Sequence, residues 1–413
     1  MKHLLCLSYV FLILSSSLLA GGPHLNLHGI RNLGMAHAGT GLSVDASALY
    51  FNPGAAAFID RNQLLIGSTI VFPHTEFLQQ FPSLYQANMT QQSLTPSFFY
   101  ALFRMGKEGI WKDLRWGLAL NTPYLTNTRW PDDWAGNQLS QEFSLTFFTL
   151  QPTISWKINS KVSVGLGVSL GFGSMLVRKA LPENGPNESD ANLQYSGSGN
   201  LYGINAGIAI RPNDQLQLGI SYKSEMTMKI DSGEARYTVP LSLQRLYPNG
   251  NFQTQIHLPY TINAGLSYKA NERVMVVAEI NYQNWSTWDS LRLDFSEESQ
   301  QVQDTAIVQG FKNTWSYRLG AEFELNEVLQ VRIGGYYELT PVPEGLLSPE
   351  LPDANRIGLS AGLGLRLIKG LQLDLAYLYE YAGERSSFFR PAAFGGTYLS
   401  YGFHLGAGLR YQF

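Results

Sequence analysis

From residue 63 to the C-terminus, apolar and polar residues alternate in short segments that turn residues separate. In the last segment, every odd position from Tyr401 to Phe413 is apolar, and the even positions are small or polar. Successive side chains of a β-strand point to opposite faces, so this pattern predicts strands with one apolar face. Fourteen such segments are predicted: 63–73, 96–106, 114–130, 144–158, 161–180, 193–211, 215–235, 258–270, 273–293, 306–324, 329–342, 356–368, 371–386 and 400–413.

The links between these segments alternate in length. Short links at 159–161, 212–214, 271–272, 326–328 and 369–370 alternate with longer ones at 74–95, 131–143, 181–192, 236–257, 294–305, 343–355 and 387–399. Short turns at one end and long loops at the other are typical of outer-membrane barrels. The sequence therefore predicts an all-β fold, a 14-stranded antiparallel transmembrane β-barrel, whose even strand number leaves no edge unpaired. A soluble β-sandwich is the alternative, but it would leave many apolar faces uncovered.

The apolar face is predicted to contact lipid, because a charge there costs about 2–4 kcal/mol at mid-depth. The other face would then line the lumen, where charges can pair. The charged residues predicted to point inward are Arg318, Glu322, Arg332, Glu338, Arg356, Arg366, Asp374 and Glu380.

Residues 1–20 have a short polar start and an apolar core, as in a secretory signal peptide. Cleavage is expected near residues 20–22, with an uncleaved anchor as the alternative. Cys6, the single cysteine, lies in this segment, so we expect no disulfide and no Cys-based metal site in the mature chain. Net charge is −3, which gives no basic surface for nucleic acid. The expected location is a Gram-negative type of outer membrane.

Residues 21–62 do not alternate; they are rich in Gly and Ala, and Pro53 excludes a central strand there. About forty residues are too few to bury a core of their own. We therefore predict that this domain is a plug, or hatch, inside the barrel formed by 63–413. A periplasmic linker is the alternative, but linkers are usually poor in large apolar residues.

The stretch "GIRNLGMAHAGTGLSVDASALYFNPGAAAF" resembles the N-terminal hatch of the long-chain fatty-acid transporter (FadL/TodX-like, OmpP1) family of outer membrane proteins. Two further stretches, 197–233 and 334–367, resemble other parts of that family. The positions that match the hatch motif are Gly34, Met35, Ala38, Gly39, Asp45, Ala46, Ser47, Asn52 and Pro53.

The resemblance implies a hatch-gated barrel that transports hydrophobic compounds such as long-chain fatty acids or hydrocarbons. Pro123, in the third strand, lacks an N–H and predicts a break or bulge in the ladder. A harmless bulge is one interpretation. In the family, a kink in this strand opens a side window toward the membrane, and Asn121, Thr122 and Pro123 lie at the matching place.

Candidate ligand-binding residues are predicted only from the direction in which each side chain is expected to point. Apolar positions of the hatch and of the inner wall would line the pocket, and an inward cation would bind a carboxylate head group. The candidates are Leu33, Leu49, Phe51, Met275 and Val277 for the apolar part, with Arg318 and Arg332 for the head group. Link 181–192 is short, so a surface capture site is less well supported than passage.

Other functions remain open at this point. Some barrels of this family act as docking or shuttle components of a protein secretion system, and a plain diffusion porin is a third reading. An enzyme is not expected, because "GVSLG" (167–171) lies in mid-strand phase and the histidines lack metal-motif spacing. We expect no cofactor and no metal, a monomer, outer membrane lipids as surroundings, and recognition of Phe413 by the barrel assembly machinery. The sequence does not name the cargo.

Overall fold

The computed structural model describes residues 24–25, 27–79, 83–182 and 191–413. The predicted signal peptide, its cleavage region and most of link 181–192 lie outside the described residues. Within those ranges, no helix is long and apolar enough to cross a membrane. Three short helices occur near the N-terminus: α1 (Ile30–Leu33), α2 (Ala48–Phe51) and α3 (Pro53–Ala56).

The rest of the described chain is almost entirely antiparallel β-structure. Its segments are β1 (Gln63–Gln79), β2 (Tyr85–Asn88), β3 (Ser97–Arg104), β4 (Leu114–Arg129), β5 (Glu142–Lys157), β6 (Val162–Ala180), β7 (Asn192–Ile210), β8 (Leu216–Lys223), β9 (Met226–Thr238), β10 (Gly250–Leu258), β11 (Thr261–Asn271), β12 (Val274–Gln283), β13 (Ser290–Phe295), β14 (Thr305–Val308), β15 (Thr314–Glu324), β16 (Leu329–Glu338), β17 (Arg356–Ile368), β18 (Leu371–Phe389) and β19 (Phe394–Gln412).

These segments form a closed barrel of fourteen strands, which confirms the predicted fold class. Five strands of the wall are interrupted, so that β2 with β3, β8 with β9, β10 with β11, β12 with β13, and β14 with β15 each form one strand. For example, β7 pairs with β8 along one part of its length and with β9 along another. The first and last strands close the ring, from Gln63 opposite Gln412 to Leu78 opposite Thr397.

The two faces of the wall differ as the alternation predicts. In β19, Phe403, Leu405 and Leu409 are exposed on the outside, whereas Gly402 and His404 are buried on the inside. Of the charges predicted to line the lumen, most are buried, but Arg366 lies at the rim and is largely exposed beside Glu324. An apolar exterior with a polar interior is what a barrel in lipid requires.

The short link predicted at 369–370 is present, but the long link predicted at 387–399 is much shorter than expected. The link at Gly370 is a tight turn in which this glycine has φ 85°, a conformation that L side chains rarely adopt. The long link expected at 387–399 is instead a continuation of the β18–β19 hairpin, which pairs as far as Phe389 and Phe394. Pairing continues there because β18 and β19 both keep alternating side chains beyond the part that spans the membrane.

Lipid contact can be tested by placing one charge at two depths. Leu405 lies on the outer face between aromatic Phe403 and Tyr411, and Leu367 lies beside the turn at Gly370; both are 51% exposed. We expect Leu405→Arg to destabilise the folded barrel by about 2–4 kcal/mol and Leu367→Arg by about 0–1 kcal/mol. Urea unfolding in lipid vesicles measures both. Equal losses would contradict a lipid-facing Leu405.

Candidate functional site

The N-terminal segment, which we define as residues 24–25 and 27–62, lies inside the barrel. Nearly all its side chains from Leu27 to Ile59 are buried, although it has little structure of its own beyond three four-residue helices. Helix α1 contacts β17, β18 and β19, and α3 contacts β5, β6, β7 and β8 on the opposite side. The segment therefore spans the lumen and obtains its core from the inner wall.

Glycines of the wall and of the segment allow this close packing. A Cβ on Gly334 of β16 would lie 2.5 Å from the backbone nitrogen of Ala36, closer than real Cβ contacts permit. On the other side, a Cβ on Gly54 would lie 2.6 Å from the carbonyl oxygen of Gly207. Backbone meets backbone at both places, so any larger residue would move the segment away from the wall.

The motif residues fix the path of the segment by hydrogen bonds. Oδ1 of Asn52 accepts from the N–H of Gly54 (3.0 Å), which caps α3, where Pro53 is the first residue. Nδ2 of Asn52 donates to the carbonyls of Thr40 (2.9 Å) and Ile208 (3.0 Å), so one side chain joins two parts of the segment to the wall.

Three more motif residues have local roles. Oδ1 of Asp45 accepts from the backbone N–H of Ser47 (3.0 Å), just before α2. Ala46 is fully buried, and Gly34 packs against Gly362, where a Cβ would come within 3.0 Å of the Gly362 Cα. The spacing of the motif thus follows from the turns and close contacts of a chain confined in the lumen.

Buried ion pairs attach the segment near the short-turn end of the barrel. The guanidinium of Arg31 donates to Glu322, and Glu322 also accepts from Nε of Arg332 at 2.7 Å. Arg332, which is fully buried, donates in addition to Asp374 (2.6 Å) and Gln330 (2.9 Å). Charges buried in low dielectric must be paired, and this network pairs them.

Two further contacts join the segment to inward charges of the wall. Oε2 of Glu279 accepts from the N–H groups of Gly39 (2.9 Å) and Thr40 (2.8 Å). Nη1 of Arg318 lies 2.8 Å from Nδ1 of His37 and donates to the His37 carbonyl at 3.3 Å. Burial first, and then the adjacent Arg318 guanidinium, lower the pKa of His37 well below its usual value, so that the ring is neutral.

The apolar candidates for ligand binding all lie where the segment meets the wall. Leu33 is buried against Gly406, Leu49 against Gly117, and the ring of Phe51 lies 4.7 Å from that of His37. Met275 and Val277 pack with a second group of hatch residues, which comprises Met35, Ala38 and Leu42. Leu33, Leu49, Phe51 and Val277 line neither of the two cavities described below.

The third strand, β4, departs from regular pairing at the predicted place. On one side, Asn121 pairs with Thr149 and Tyr124 with Phe147, so β4 carries one extra residue between them. On the other side, β3 pairs with β4 only as far as Leu120. In the described chain, the next backbone hydrogen bond on that side of β4 is at its end, where the N–H of Thr90 donates to the carbonyl of Arg129 (2.8 Å).

The start of the N-terminal segment occupies part of this free edge. The N–H of Leu25 donates to the carbonyl of Pro123 (3.2 Å), and His24 forms a β-bridge with Tyr124. The wall thus has a gap between the second and third strands that the hatch itself partly fills.

Two cavities lie on either side of this contact. The outer cavity encloses about 930 Å³, including space open to solvent, and includes both sides of the gap. Its apolar lining includes Leu25, Val71, Met89, Leu94, Leu125 and Phe311. The inner cavity encloses about 490 Å³. Its lining includes His24, Tyr50, Tyr124, Ile204, Lys223 and Met226.

A barrel filled by its own N-terminal segment, with an apolar cavity at a gap in the wall, defines a channel-type outer membrane protein. The family model for outer membrane protein transport proteins (OMPP1/FadL/TodX) matches residues 11–413, and the chain belongs to this family. It is accordingly a transport protein of the outer membrane and not an enzyme.

Individual relatives are distant but cover most of the chain. The long-chain fatty acid transport protein of Escherichia coli O6:H1 is 23% identical, over 91% of this chain and 90% of its own. The structure of a Pseudomonas aeruginosa FadL homologue has a TM-score of 0.83 at 19% identity, covering 95% and 100% of the two chains. The Pseudomonas putida toluene transporter TodX has a TM-score of 0.69 at 15% identity, covering 96% and 99%.

Reasoning from the sequence missed Lys223 and the lining of the outer cavity. Lys223, which lines the inner cavity, could have been found from the alternation in β8, because it shares the inward phase of Gln217 and Ser221. The outer cavity is assembled from β1, β4, β18, β19 and several loops, and no local pattern brings those together.

Breaking a buried ion pair should cost far more free energy of unfolding than breaking an exposed pair on the same strand. Glu322→Gln removes the shared partner of two buried guanidinium groups and should cost about 3–5 kcal/mol of unfolding free energy. Glu324→Gln breaks only the exposed pair with Arg366 (2.6 Å) and should cost about 0–1 kcal/mol. Urea unfolding followed by tryptophan fluorescence compares them. A similar cost for both variants would contradict the network.

Acid should loosen the segment through His37. Its lowered pKa means that the packed state binds a proton less readily than the displaced state, so packing is fully stable above the usual pKa and weakens as the pH falls below it. We expect more open-channel current in planar bilayers at pH 5 than at pH 8, and a smaller difference in His37→Gln. His257→Gln, which changes a part-exposed histidine, is the control. The cationic or titratable groups that act on His37 are Arg318, His28, His24 and Lys223.

Proposed function

We propose that the protein transports hydrophobic compounds, such as long-chain fatty acids or hydrocarbons, across the outer membrane. The compound occupies the outer cavity and leaves sideways into the bilayer through the gap beside Pro123. The observation that carries this proposal is the position of the outer cavity at an edge of β4 that β3 leaves unpaired. The cavity lining on both sides of that gap is largely apolar.

The N-terminal segment is the gate in this proposal. It fills the lumen, which removes a continuous aqueous route, and its first residues hold the free edge of β4 through Leu25 and Pro123 (3.2 Å). Displacing those two or three residues would connect the two cavities and enlarge the gap. An apolar cargo favours this route because each buried methylene contributes about 0.8 kcal/mol.

The names of the relatives support the class of cargo. The Escherichia coli relative is a long-chain fatty acid transport protein, and one structural neighbour is a toluene transporter. Both kinds of molecule partition poorly into water. Lateral exit suits them, because a straight aqueous exit would expose their apolar surface.

The extra residue in β4 provides a direct test. Deleting Pro123 removes both the missing N–H and the one-residue excess, so that the β4–β5 ladder can run without interruption. We expect uptake of radiolabelled oleate and hexadecane by a deletion strain to be restored by the wild-type gene but not by the Pro123 deletion, with a loss of tenfold or more.

The matched control is deletion of Ala270, which removes a one-residue bulge between β11 and β12 near the short-turn end. This variant should keep uptake. Heat-modifiable mobility verifies that both variants assemble. Normal uptake by an assembled Pro123 deletion would refute lateral exit, and absence of wild-type uptake for every hydrophobic compound tried would refute the transport function.

A further inference from the structure

The link between β3 and β4, residues 105–113, carries exposed apolar residues at the short-turn end of the barrel. Ile110 and Trp111 are adjacent in sequence, and they are 57% and 54% exposed. Other short links at this end consist only of polar residues, Gly and Pro; they are 159–161, 212–214, 271–272 and 369–370. The 105–113 link therefore presents a surface that those turns do not have.

Two glycines shape the link so that Trp111 is held in place. Residues Gly109–Asp113 form a turn of 3₁₀ helix, and Gly109 begins it with φ 58°, a conformation that suits glycine. A Cβ on Gly106 would lie 2.7 Å from the Cβ of Trp111. The indole side chain thus starts directly over Gly106, and a larger residue at that position would displace it.

Arg115 fixes the other end of the turn. Its side chain is fully buried, and Nη1 donates to the carbonyl of Lys112 at 2.7 Å. Nε of the same guanidinium donates to the carbonyl of Ile59 at 2.8 Å. The link is thereby joined to the wall and to the end of the N-terminal segment, so the fold sets the position of Ile110 and Trp111.

The outer face of the neighbouring strands continues this apolar surface. Trp116 of β4 is exposed, and its ring stacks on Phe103 of β3 with the ring centres 4.7 Å apart. The ring of Phe413 lies 6.3 Å from that of Phe103, and Trp156 of β5 is also exposed. A row of aromatic residues on the outside of a barrel marks the boundary between hydrocarbon and head groups. The 105–113 link joins the ends of the same two strands, only a few residues beyond this row.

We propose that the 105–113 link is a membrane anchor, in which Ile110 and Trp111 insert into the head-group region of the lipid leaflet on the short-turn side. A lipid surface is the partner that the link fits, because its apolar pair continues the lipid-facing row of the wall. Tryptophan is well suited to this position, since its ring is apolar and its N–H can bind water or head groups. The anchor does not depend on which compound is transported.

The anchor holds the hairpin that borders the gap in the wall. β3 pairs with β4 only from Phe99 to Arg104, so few hydrogen bonds join the two strands. The link lies at the paired end of this hairpin, and the gap lies at the other end. Insertion into lipid would restrain the paired end while the free edge of β4 remains open.

The test places one fluorophore at each of three positions. The sequence contains a single cysteine, Cys6, so the dye NBD can be attached to one new thiol in a Cys6→Ser background. Ile110→Cys is compared with Glu272→Cys, in an exposed polar turn at the same end, and with Leu405→Cys on the lipid-facing wall. Each labelled barrel is placed in nanodiscs of phosphatidylcholine and phosphatidylglycerol, which leave both membrane faces accessible.

We expect a lipid nitroxide at the head group to quench the label at Ile110, and iodide in the water to quench it poorly. The label at Glu272 should show the opposite behaviour, and the label at Leu405 should be quenched best by a nitroxide midway along the acyl chain. Iodide quenching at Ile110 equal to that at Glu272 would overturn the proposal. Shielding from iodide without quenching by lipid would also overturn it, because a protein partner or a second copy would then cover the link.

A second measurement needs no label and no new cysteine. Subtracting the emission spectrum of Trp111→Phe from that of the wild type isolates the emission of Trp111. Brominated phosphatidylcholine should reduce this difference emission, whereas acrylamide in the water should reduce it only weakly. Trp134→Phe is the matched control, because Trp134 is only 1% exposed and its difference emission should respond to neither quencher. If brominated lipid leaves the Trp111 emission unchanged, the anchor is refuted even where a labelled variant fails to assemble.

Discussion

The structure depends on the close approach of the N-terminal backbone to glycines of the inner wall. At Gly334 and at Gly54, the space that a Cβ would need is taken by the backbone of Ala36 and of Gly207. Such contacts leave no room for water at these two places. A chain of this length cannot form a core alone, so the wall supplies the packing that holds it in one conformation.

Dry packing has an electrostatic consequence, because inward charges lose their water when the segment fills the lumen. Arg31 and Arg332 share Glu322, and Glu279 accepts two backbone N–H groups. These pairs lie toward the short-turn end, whereas the outer cavity begins nearer the long loops. Paired charges therefore line the lumen toward the short-turn end, and the mainly apolar outer cavity lies toward the other.

Sequence alone predicts the features that depend on local order. Alternation placed the fourteen strands and the inward face of β15 and β16, and Pro123 marked the irregular part of β4. Partner choice could not be predicted in this way, because phase tells which side a residue faces but not which residue it meets. Arg31 and Glu322 are 291 positions apart, and Arg318 meets His37 across 281. Arg318 and Arg332, the two arginines predicted to bind a head group, thus lie beside His37 and Glu322, partners that the phase of their strands did not reveal.

The irregular strand and the N-terminal segment stabilise each other. Because β3 does not pair with residues 121–128 of β4, the Pro123 carbonyl would lack a backbone partner if Leu25 did not donate to it. Leaving such a group unpaired in apolar surroundings costs about 1–3 kcal/mol. Burial of about three methylenes, at roughly 0.8 kcal/mol each, offsets that cost. In the proposed lateral exit, a long alkyl chain that reaches the gap would contribute enough free energy to displace the first residues of the segment, whereas a small ion buries no methylene group.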